Sequence, residues 1–187
     1  METKLDILRR YFGYTSFRRG QEEIVDALLT GRDALCVMPT GAGKSVCYQV
    51  PALLLPGITL VISPLISLMK DQVESLTQAG VHAAYLNSSL TPAQYSRALH
   101  NLSEGLYKLV YVAPERLSTE NFRTAVENLN ISLIAVDEAH CVSQWGQDFR
   151  PDYLKIAEFA ESLKNHPTIG AFTATATKAV RKDIAEH

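Results

Sequence analysis

Short apolar runs alternate along the chain with longer stretches of helical periodicity. The runs are continuously apolar, which is typical of parallel strands that helices cover on both faces. We predict strands at residues 34–38, 59–62, 83–86, 109–112, 133–136 and 169–172. Helices are predicted at residues 21–30, 44–55, 65–79, 92–102, 121–128 and 151–164, with a last one over 177–187 that Thr177 caps. This alternation predicts right-handed βαβ crossovers and an α/β fold, a three-layer αβα sandwich with a mainly parallel sheet.

The composition is that of an ordinary globular domain. Of the 187 residues, 47% are hydrophobic and 20% are charged, so a substantial core is expected and disorder is not. Eighteen basic against twenty acidic side chains leave a formal charge of −2, which excludes binding to nucleic acid by bulk charge alone. Any contact with DNA must therefore come from local patches.

Cysteine usage and hydropathy indicate a cytoplasmic protein without membrane attachment. Cys36, Cys47 and Cys141 are odd in number and lack CxxC spacing, so neither a disulfide framework nor a zinc site is expected. The sequence starts without the apolar region of a signal peptide, and no apolar run reaches the ~18 residues of a membrane span. The last helical pattern has no Gly or Pro after it, so we expect residues 1–187 to be one domain cut from a longer protein.

A glycine-rich loop, MPTGAGKS at residues 38–45, joins the first predicted strand to the helix that follows. Small residues there let backbone N–H groups approach phosphates, and the helix N-terminus adds partial positive charge. Lys44 would reach the β- and γ-phosphates, and the Ser45 hydroxyl would bind Mg²⁺. The strict pattern has Gly where Met38 stands, and the alternative is a glycine-rich turn before an ordinary helix. The residues assigned to nucleotide binding in this loop are Thr40, Gly41, Ala42, Gly43, Lys44 and Ser45.

The sequence DEAH at residues 137–140 follows the predicted strand 133–136. Acidic residues at a strand tip project from the carboxyl edge of the sheet, where ligands of open α/β folds bind. Asp137 would hold Mg²⁺, mostly through water, and Glu138 would polarise the attacking water. The alternative is a solvated strand end, which becomes remote once the glycine-rich loop is considered with it.

The order of these motifs resembles that of superfamily 2 helicases, and the strings between them resemble the RecQ helicases in particular. MPTGAGKS, DEAH and FTATAT (172–177) stand as motifs I, II and III. GYTSFRRGQEEIV (13–25), ISPLISLMKDQ (62–72) and YVAPERL (111–117) are similar to motifs 0, Ia and Ib. The resemblance covers nearly the whole chain. It implies the first RecA-like P-loop NTPase domain of an enzyme that uses ATP and Mg²⁺ to unwind duplex DNA in the 3′-to-5′ direction, in recombination and repair.

The resemblance also implies roles for single residues. In motif 0, Tyr14 would stack on adenine, Gln21 would hydrogen-bond the edge where ATP differs from GTP, and Arg18 would lie near the nucleotide. In motif III, Thr173 and Thr175 would link the hydrolysis site to the DNA path. The implied partners are single-stranded and duplex DNA and the second RecA-like domain of the same chain, which supplies an arginine finger. We expect a monomer that binds nucleotide through residues 1–187 but hydrolyses it poorly without that second domain.

CVSQWGQDFRPDY (141–153) resembles the aromatic-rich loop of RecQ proteins. Trp145, Phe149 and Arg150 offer aromatic and guanidinium faces on which bases stack, so the loop is predicted to couple DNA binding to hydrolysis. The alternative is that Trp145 and Phe149 pack into the core. Gln147 stands where RecQ loops commonly carry His, and Gln cannot hold a proton near neutral pH, so no imidazole role is carried over.

Two other functions remain as alternatives. An RNA-remodelling helicase of the DEAD-box class would carry DEAD in place of DEAH and no Trp-containing loop. A binding module that holds nucleotide without hydrolysis would not need Lys44, Asp137 and Glu138 together. ATPase activity with and without single-stranded DNA separates these functions from a DNA helicase.

Overall fold

A six-stranded, wholly parallel sheet forms the centre of the computed structural model, which describes residues 1–187. The strands lie in the order β1-β6-β5-β2-β4-β3, with β5 and β2 in the middle. Their bounds are β1 Ala34–Val37, β2 Ile58–Ile62, β3 Ala83–Leu86, β4 Leu109–Val112, β5 Ile131–Val136 and β6 Thr168–Thr173. Every predicted strand is therefore confirmed, with shifts of one or two residues at some ends. The sheet is more regular than predicted, because no strand pair is antiparallel.

Eight α-helices connect and flank the strands. They are α1 Lys4–Phe12, α2 Gln21–Leu29, α3 Lys44–Leu54, α4 Ile66–Gln78, α5 Pro92–Ser103, α6 Glu120–Val126, α7 Lys155–Ser162 and α8 Lys178–Glu186. The predicted cap of the last helix is confirmed, since the Val180 amide donates to Thr177 Oγ1 at 3.3 Å. No helix is both long and apolar enough to cross a membrane.

The core lies on both faces of the sheet because successive strand residues point to opposite sides. In β4, Val110 and Val112 join one buried cluster, whereas Leu109 and Tyr111 join the other. Both faces are apolar, which explains why the strands are continuously hydrophobic. The three-layer arrangement expected from the sequence is thus confirmed.

Two segments differ from the predictions. The sequence pattern missed α1, which Thr3 and Asp6 start by reciprocal capping: the Asp6 amide donates to Thr3 Oγ1 at 3.2 Å, and the Thr3 amide donates to Asp6 Oδ2 at 2.8 Å. The predicted helix 151–164 is wrong in its first turn, where Pro151–Leu154 form a 3₁₀ helix before α7. Tertiary contact decides this turn, because the Tyr153 hydroxyl donates to the Asp137 carbonyl oxygen at 2.8 Å.

Candidate nucleotide-binding site

A cleft of about 330 Å³ opens at the carboxyl edge of the sheet. Strands β1, β2 and β5 end here, and the β1–α3 loop and the motif 0 segment close two sides of the cleft. Ten predicted site residues line it: Tyr14, Arg18, Gln21, Thr40, Gly41, Gly43, Lys44, Ser45, Asp137 and Glu138. Ala42 belongs to the loop but does not line the cleft. Residues more than 120 positions apart in the chain thus share one cleft, as the sequence predicted.

The glycine-rich loop begins after β1 and runs directly into α3. Gly41 and Gly43 have φ values of 81° and 83°, a left-handed conformation that glycine adopts without steric cost. Gly43 is the N-cap of α3 and offers no side chain to the first amides of the helix. These N–H groups therefore remain available for an anion, which is the arrangement that phosphate binding requires.

Two of the side chains that were predicted to meet nucleotide bond to the glycine-rich loop itself. Lys44 Nζ donates to the Met38 carbonyl at 3.1 Å, and Arg18 Nη1 donates to the Gly41 carbonyl at 2.8 Å. The arginine also lies 5.9 Å from the centre of the Tyr14 ring. These two groups hold the loop together.

Gln21 is buried, and its amide is fully engaged. Its Nε2 donates to the carbonyl oxygens of Ala42 and Gly43, at 3.3 and 3.0 Å, while its Oε1 accepts from the Arg18 amide at 2.7 Å. Gln21 thus connects motif 0 to the phosphate loop. That Gln21 hydrogen-bonds adenine stays a prediction. Such a bond would require the side-chain amide to release at least one of these partners.

Asp137 and Glu138 form a sharp turn at the end of β5. Glu138 has φ 49° and ψ 44°, a left-handed conformation that is costly for a residue with a side chain. The Glu138 amide donates to Asp137 Oδ1 at 3.0 Å. Burial, followed by the negative charge of Glu138, raises the pKa of Asp137 to about 6. An oxygen ligand of this kind suits a hard divalent cation, whose charge would relieve that cost.

The donor set of the cleft fits Mg²⁺. The Ser45 hydroxyl and the Asp137 carboxylate line the same cleft and supply only oxygen ligands, which Mg²⁺ prefers over nitrogen or sulfur. Asp137 Oδ2 receives no hydrogen bond from a protein group and is thus free to bind an ion or its water. When bound, Mg²⁺ would neutralise phosphate charge during phosphoryl transfer.

His140 connects motif II to motif III. Its Nδ1 lies 2.8 Å from Thr173 Oγ1 and 3.4 Å from Glu138 Oε2. Because Thr173 Oγ1 donates its own proton to the Thr175 carbonyl at 3.0 Å, it must accept from His140 Nδ1. Thr175 therefore contributes a backbone oxygen, while its side chain is exposed.

The aromatic-rich loop lies between the 3₁₀ helices Ala139–Val142 and Pro151–Leu154. The Trp145 side chain is 78% exposed, so the alternative that it packs into the core is wrong. Phe149 and Arg150 are half-buried, and Arg150 pairs with Asp148 at 3.3 Å. The Arg150 amide also donates to the Cys141 carbonyl at 2.9 Å, which fixes the end of the loop beside motif II.

Comparison with known proteins identifies the family. The DEAD/DEAH box helicase family matches residues 18–183, which contain the glycine-rich loop, DEAH and motif III. The chain belongs to the DEAD/DEAH box helicase family. Within it, the chain is similar to RecQ proteins, which confirms the resemblance seen in the motifs.

Two relatives of this helicase domain illustrate that similarity. The chain is 52% identical over 186 residues to "ATP-dependent DNA helicase RecQ" of Pasteurella multocida, covering 100% of this chain and 29% of the relative. It is 50% identical over 182 residues to the protein of the same name from Bacillus subtilis, covering 97% of this chain and 31% of the relative. The chain thus spans about a third of the length of these relatives.

Solved helicase structures share the fold of the domain. A hypothetical ATP-dependent RNA helicase from Sulfolobus tokodaii superposes with a TM-score of 0.74 at 21% identity, covering all of this chain and 54% of the other. The Hef helicase domain of Pyrococcus furiosus gives 0.66 at 24% identity, covering 91% and 36%. The likeness confirms the RecA-like architecture of the domain.

Sequence reasoning missed several residues of the helicase cleft. Tyr48, Ser63, Met69, Gln72 and Tyr111 line it and received no role. Gln72 and Tyr111 lie within the strings that resemble motifs Ia and Ib, and Tyr48 stands one helical turn after Lys44. His140 likewise belongs to DEAH. Position within a motif was therefore the available signal, but the partners of these side chains depend on the tertiary structure.

Asp137→Asn is expected to stabilise the metal-free helicase domain above about pH 6. The folded protein binds the Asp137 proton more tightly than the unfolded chain, so ionisation destabilises the fold as pH rises from 3.8 to about 6. That pKa difference lowers the free energy of unfolding by at most about 3 kcal/mol. The penalty is absent well below pH 3.8, where the carboxyl is protonated in both states, and asparagine removes it at every pH. Denaturant unfolding at about pH 8 and about pH 3 should show a gain only at the higher pH. The exposed Asp71→Asn is the control, and an equal gain at both pH values would contradict the effect.

Proposed function

We propose that this domain is the first RecA-like domain of a RecQ-type helicase that hydrolyses Mg-ATP to unwind duplex DNA in the 3′-to-5′ direction. One observation carries the proposal: the glycine-rich loop, DEAH and the motif 0 side chains line a single cleft at the carboxyl edge of a parallel sheet. Similarity to RecQ proteins over nearly the whole chain supports the choice of DNA as substrate. Recombination and repair would be the setting that the resemblance implies. Such an enzyme would work on DNA in the cytoplasm.

In the proposed reaction, each group of residues has a separate task. The amides of residues 40–45 and the Lys44 ammonium would bind the phosphates, while Ser45 and Asp137 would hold Mg²⁺. Glu138 would orient the attacking water. His140, which contacts both Glu138 and Thr173, would couple the position of Glu138 to motif III. An arginine from a second RecA-like domain would complete the site, and the domain alone would bind nucleotide with little turnover.

The exposed aromatic loop supports DNA as the partner. Trp145 presents an open ring on which a base can stack, and Arg150 places a guanidinium nearby in sequence. The loop is joined to the hydrolysis site because Tyr153, its last residue, donates to the Asp137 carbonyl. If the loop moves when DNA binds, the turn that carries Asp137, the proposed magnesium ligand, would therefore move with it.

ATP hydrolysis by a protein that carries this domain together with its second RecA-like domain tests the proposal. The expected result is hydrolysis that single-stranded DNA stimulates and that Glu138→Gln abolishes while nucleotide still binds. Stimulation by RNA but not by DNA would favour the RNA-remodelling alternative. Nucleotide binding without hydrolysis under any condition would favour the binding module.

Gln21→Ala is expected to reduce the preference of the domain for ATP over GTP. A site that hydrogen-bonds one base edge leaves buried groups unpaired when another base enters, and alanine removes those groups. Isothermal titration of both nucleotides into wild-type and variant domains measures the preference. The exposed Glu23→Ala on the same helix is a matched control. Equal affinity of the wild type for ATP and GTP would contradict the adenine role.

A further inference from the structure

Four polar side chains form a hydrogen-bonded chain beneath the nucleotide cleft. Tyr48 and Gln49 come from α3, Gln72 from α4 and Tyr111 from β4. The two tyrosines and Gln49 are buried, at 2–4% exposure, and both tyrosines line the cleft floor. Buried polar groups are costly unless their hydrogen bonds are satisfied, so the partners of each proton can be counted.

The count begins at Gln49. Its Nε2 carries two protons, which are donated to Gln72 Oε1 at 2.8 Å and to the Tyr111 hydroxyl at 2.9 Å. The Tyr111 hydroxyl lies 3.2 Å from the Tyr48 hydroxyl. The two hydroxyls carry two protons. One forms the hydrogen bond between them, and the other has no acceptor within the protein.

The direction of the hydrogen-bonded chain favours Tyr48 as the hydroxyl with the unpaired proton. Tyr111 already accepts from Gln49, so donation from Tyr111 to Tyr48 continues the same direction, and successive hydrogen bonds of one direction strengthen one another. Tyr48 stands one helical turn after Lys44 and is therefore on the same face of α3. Its remaining proton is thus available beneath the phosphate loop.

Among the carboxylates that line the cleft, Asp137 is the one whose charge acts on both tyrosines. Its Oδ1 takes the Glu138 amide, while no protein group donates to its Oδ2. Burial chiefly raises the pKa of both tyrosines, and the negative charge of Asp137 raises both further, as expected of neighbouring groups. Asp137 lines the same cleft as both hydroxyls.

We infer that Tyr48 is a positioning residue that donates its phenolic proton, through one water molecule, to the Asp137 carboxylate. Tyr111 and Gln49 hold Tyr48 in the donating orientation, and Gln72 extends the network to α4. The consequence for Mg²⁺ rests on the proposed function, because a carboxylate held in one orientation binds a cation better than a free one. The hydrogen bond to Asp137 does not rest on that function.

A double-mutant cycle on the metal-free domain tests the hydrogen bond. Tyr48→Phe keeps the ring that packs edge-on against Phe172 at 5.3 Å and removes only the hydroxyl. The variant is expected to lower the melting temperature by about 3 °C more in the wild-type background than in an Asp137→Ala background, because the bond to Tyr111 is lost in both. The control is Tyr95→Phe, which removes from α5 a buried hydroxyl without a hydrogen-bond partner and should shift both backgrounds equally. An equal drop for Tyr48→Phe in both backgrounds would overturn the inference.

The Mg²⁺ requirement of nucleotide binding gives a second readout if a variant of the cycle does not fold. Tyr48→Phe is expected to raise by about tenfold the Mg²⁺ concentration that gives half of the melting-temperature rise with ADP. An unchanged Mg²⁺ requirement would count against the positioning role. If the wild-type domain gains no stability from Mg-ADP, the proposed function fails, and the metal-free cycle still decides whether Tyr48 bonds to Asp137.

Discussion

Replacing Lys44 with alanine should abolish most of the rise in melting temperature that Mg-ATP produces in this domain. Lys44 is the one cationic side chain of the glycine-rich loop, and its ammonium lies within the cleft. A ligand at 100 times its dissociation constant stabilises the folded state by about 2.7 kcal/mol, or about 5–10 °C for a domain of this size. Losing the phosphate contact should remove nearly all of that gain.

Thermal unfolding with and without millimolar Mg-ATP measures the effect. Lys44 bonds only to the Met38 carbonyl here, so the variant should fold with a ligand-free melting temperature close to the wild type. Lys182→Ala, an exposed change on α8, is the matched control and should keep the full ATP-dependent rise. The same rise in Lys44→Ala as in the wild type would remove the glycine-rich loop from the nucleotide site.

Trp145→Ala is expected to weaken binding of single-stranded DNA while leaving stability and nucleotide binding nearly intact. The side chain is 78% exposed, so its loss removes little buried area and should change the free energy of unfolding by no more than about 0.5 kcal/mol. Loss of one stacking platform costs about 1–3 kcal/mol of binding, or roughly 5- to 150-fold in affinity. In a protein with both RecA-like domains, stimulation of the ATPase by DNA and unwinding should fall further than affinity does, because the loop is joined to the Asp137 turn.

The chain offers a direct probe for this prediction. Trp145 is its only tryptophan, so quenching of tryptophan fluorescence by an oligonucleotide would report on this loop alone. Gln147→Ala, an exposed neighbour in the loop, serves as the control and should keep the quenching. A strongly destabilised Trp145→Ala domain, or an unchanged ratio of stimulated to basal hydrolysis, would argue against the coupling role.

The pattern of hydrophobic residues was sufficient to predict the six strands, seven of the eight helices and the layer order. Periodicity is a local property: a strand covered on both faces must be apolar throughout, and a helix must repeat about every 3.6 residues. Motif spacing likewise placed the glycine-rich loop and DEAH at strand ends. Because parallel strands direct their carboxyl ends to one edge, their meeting in a cleft could be predicted without coordinates.

Tertiary structure alone decided how the side chains pair across that edge. Tyr48 of α3 and Tyr111 of β4 are 63 residues apart in the chain, and they meet only because α3 packs on the face of the sheet that Tyr111 occupies. The same holds for His140 and Thr173, which are 33 residues apart, and for Gln21, whose amide bonds to the phosphate loop. The sequence favoured a base-stacking Trp145 over a core position, but only the structure shows that its side chain is exposed. Hydrogen-bond partners and burial depend on which segments pack together, and a one-dimensional pattern records only which residues are able to pack.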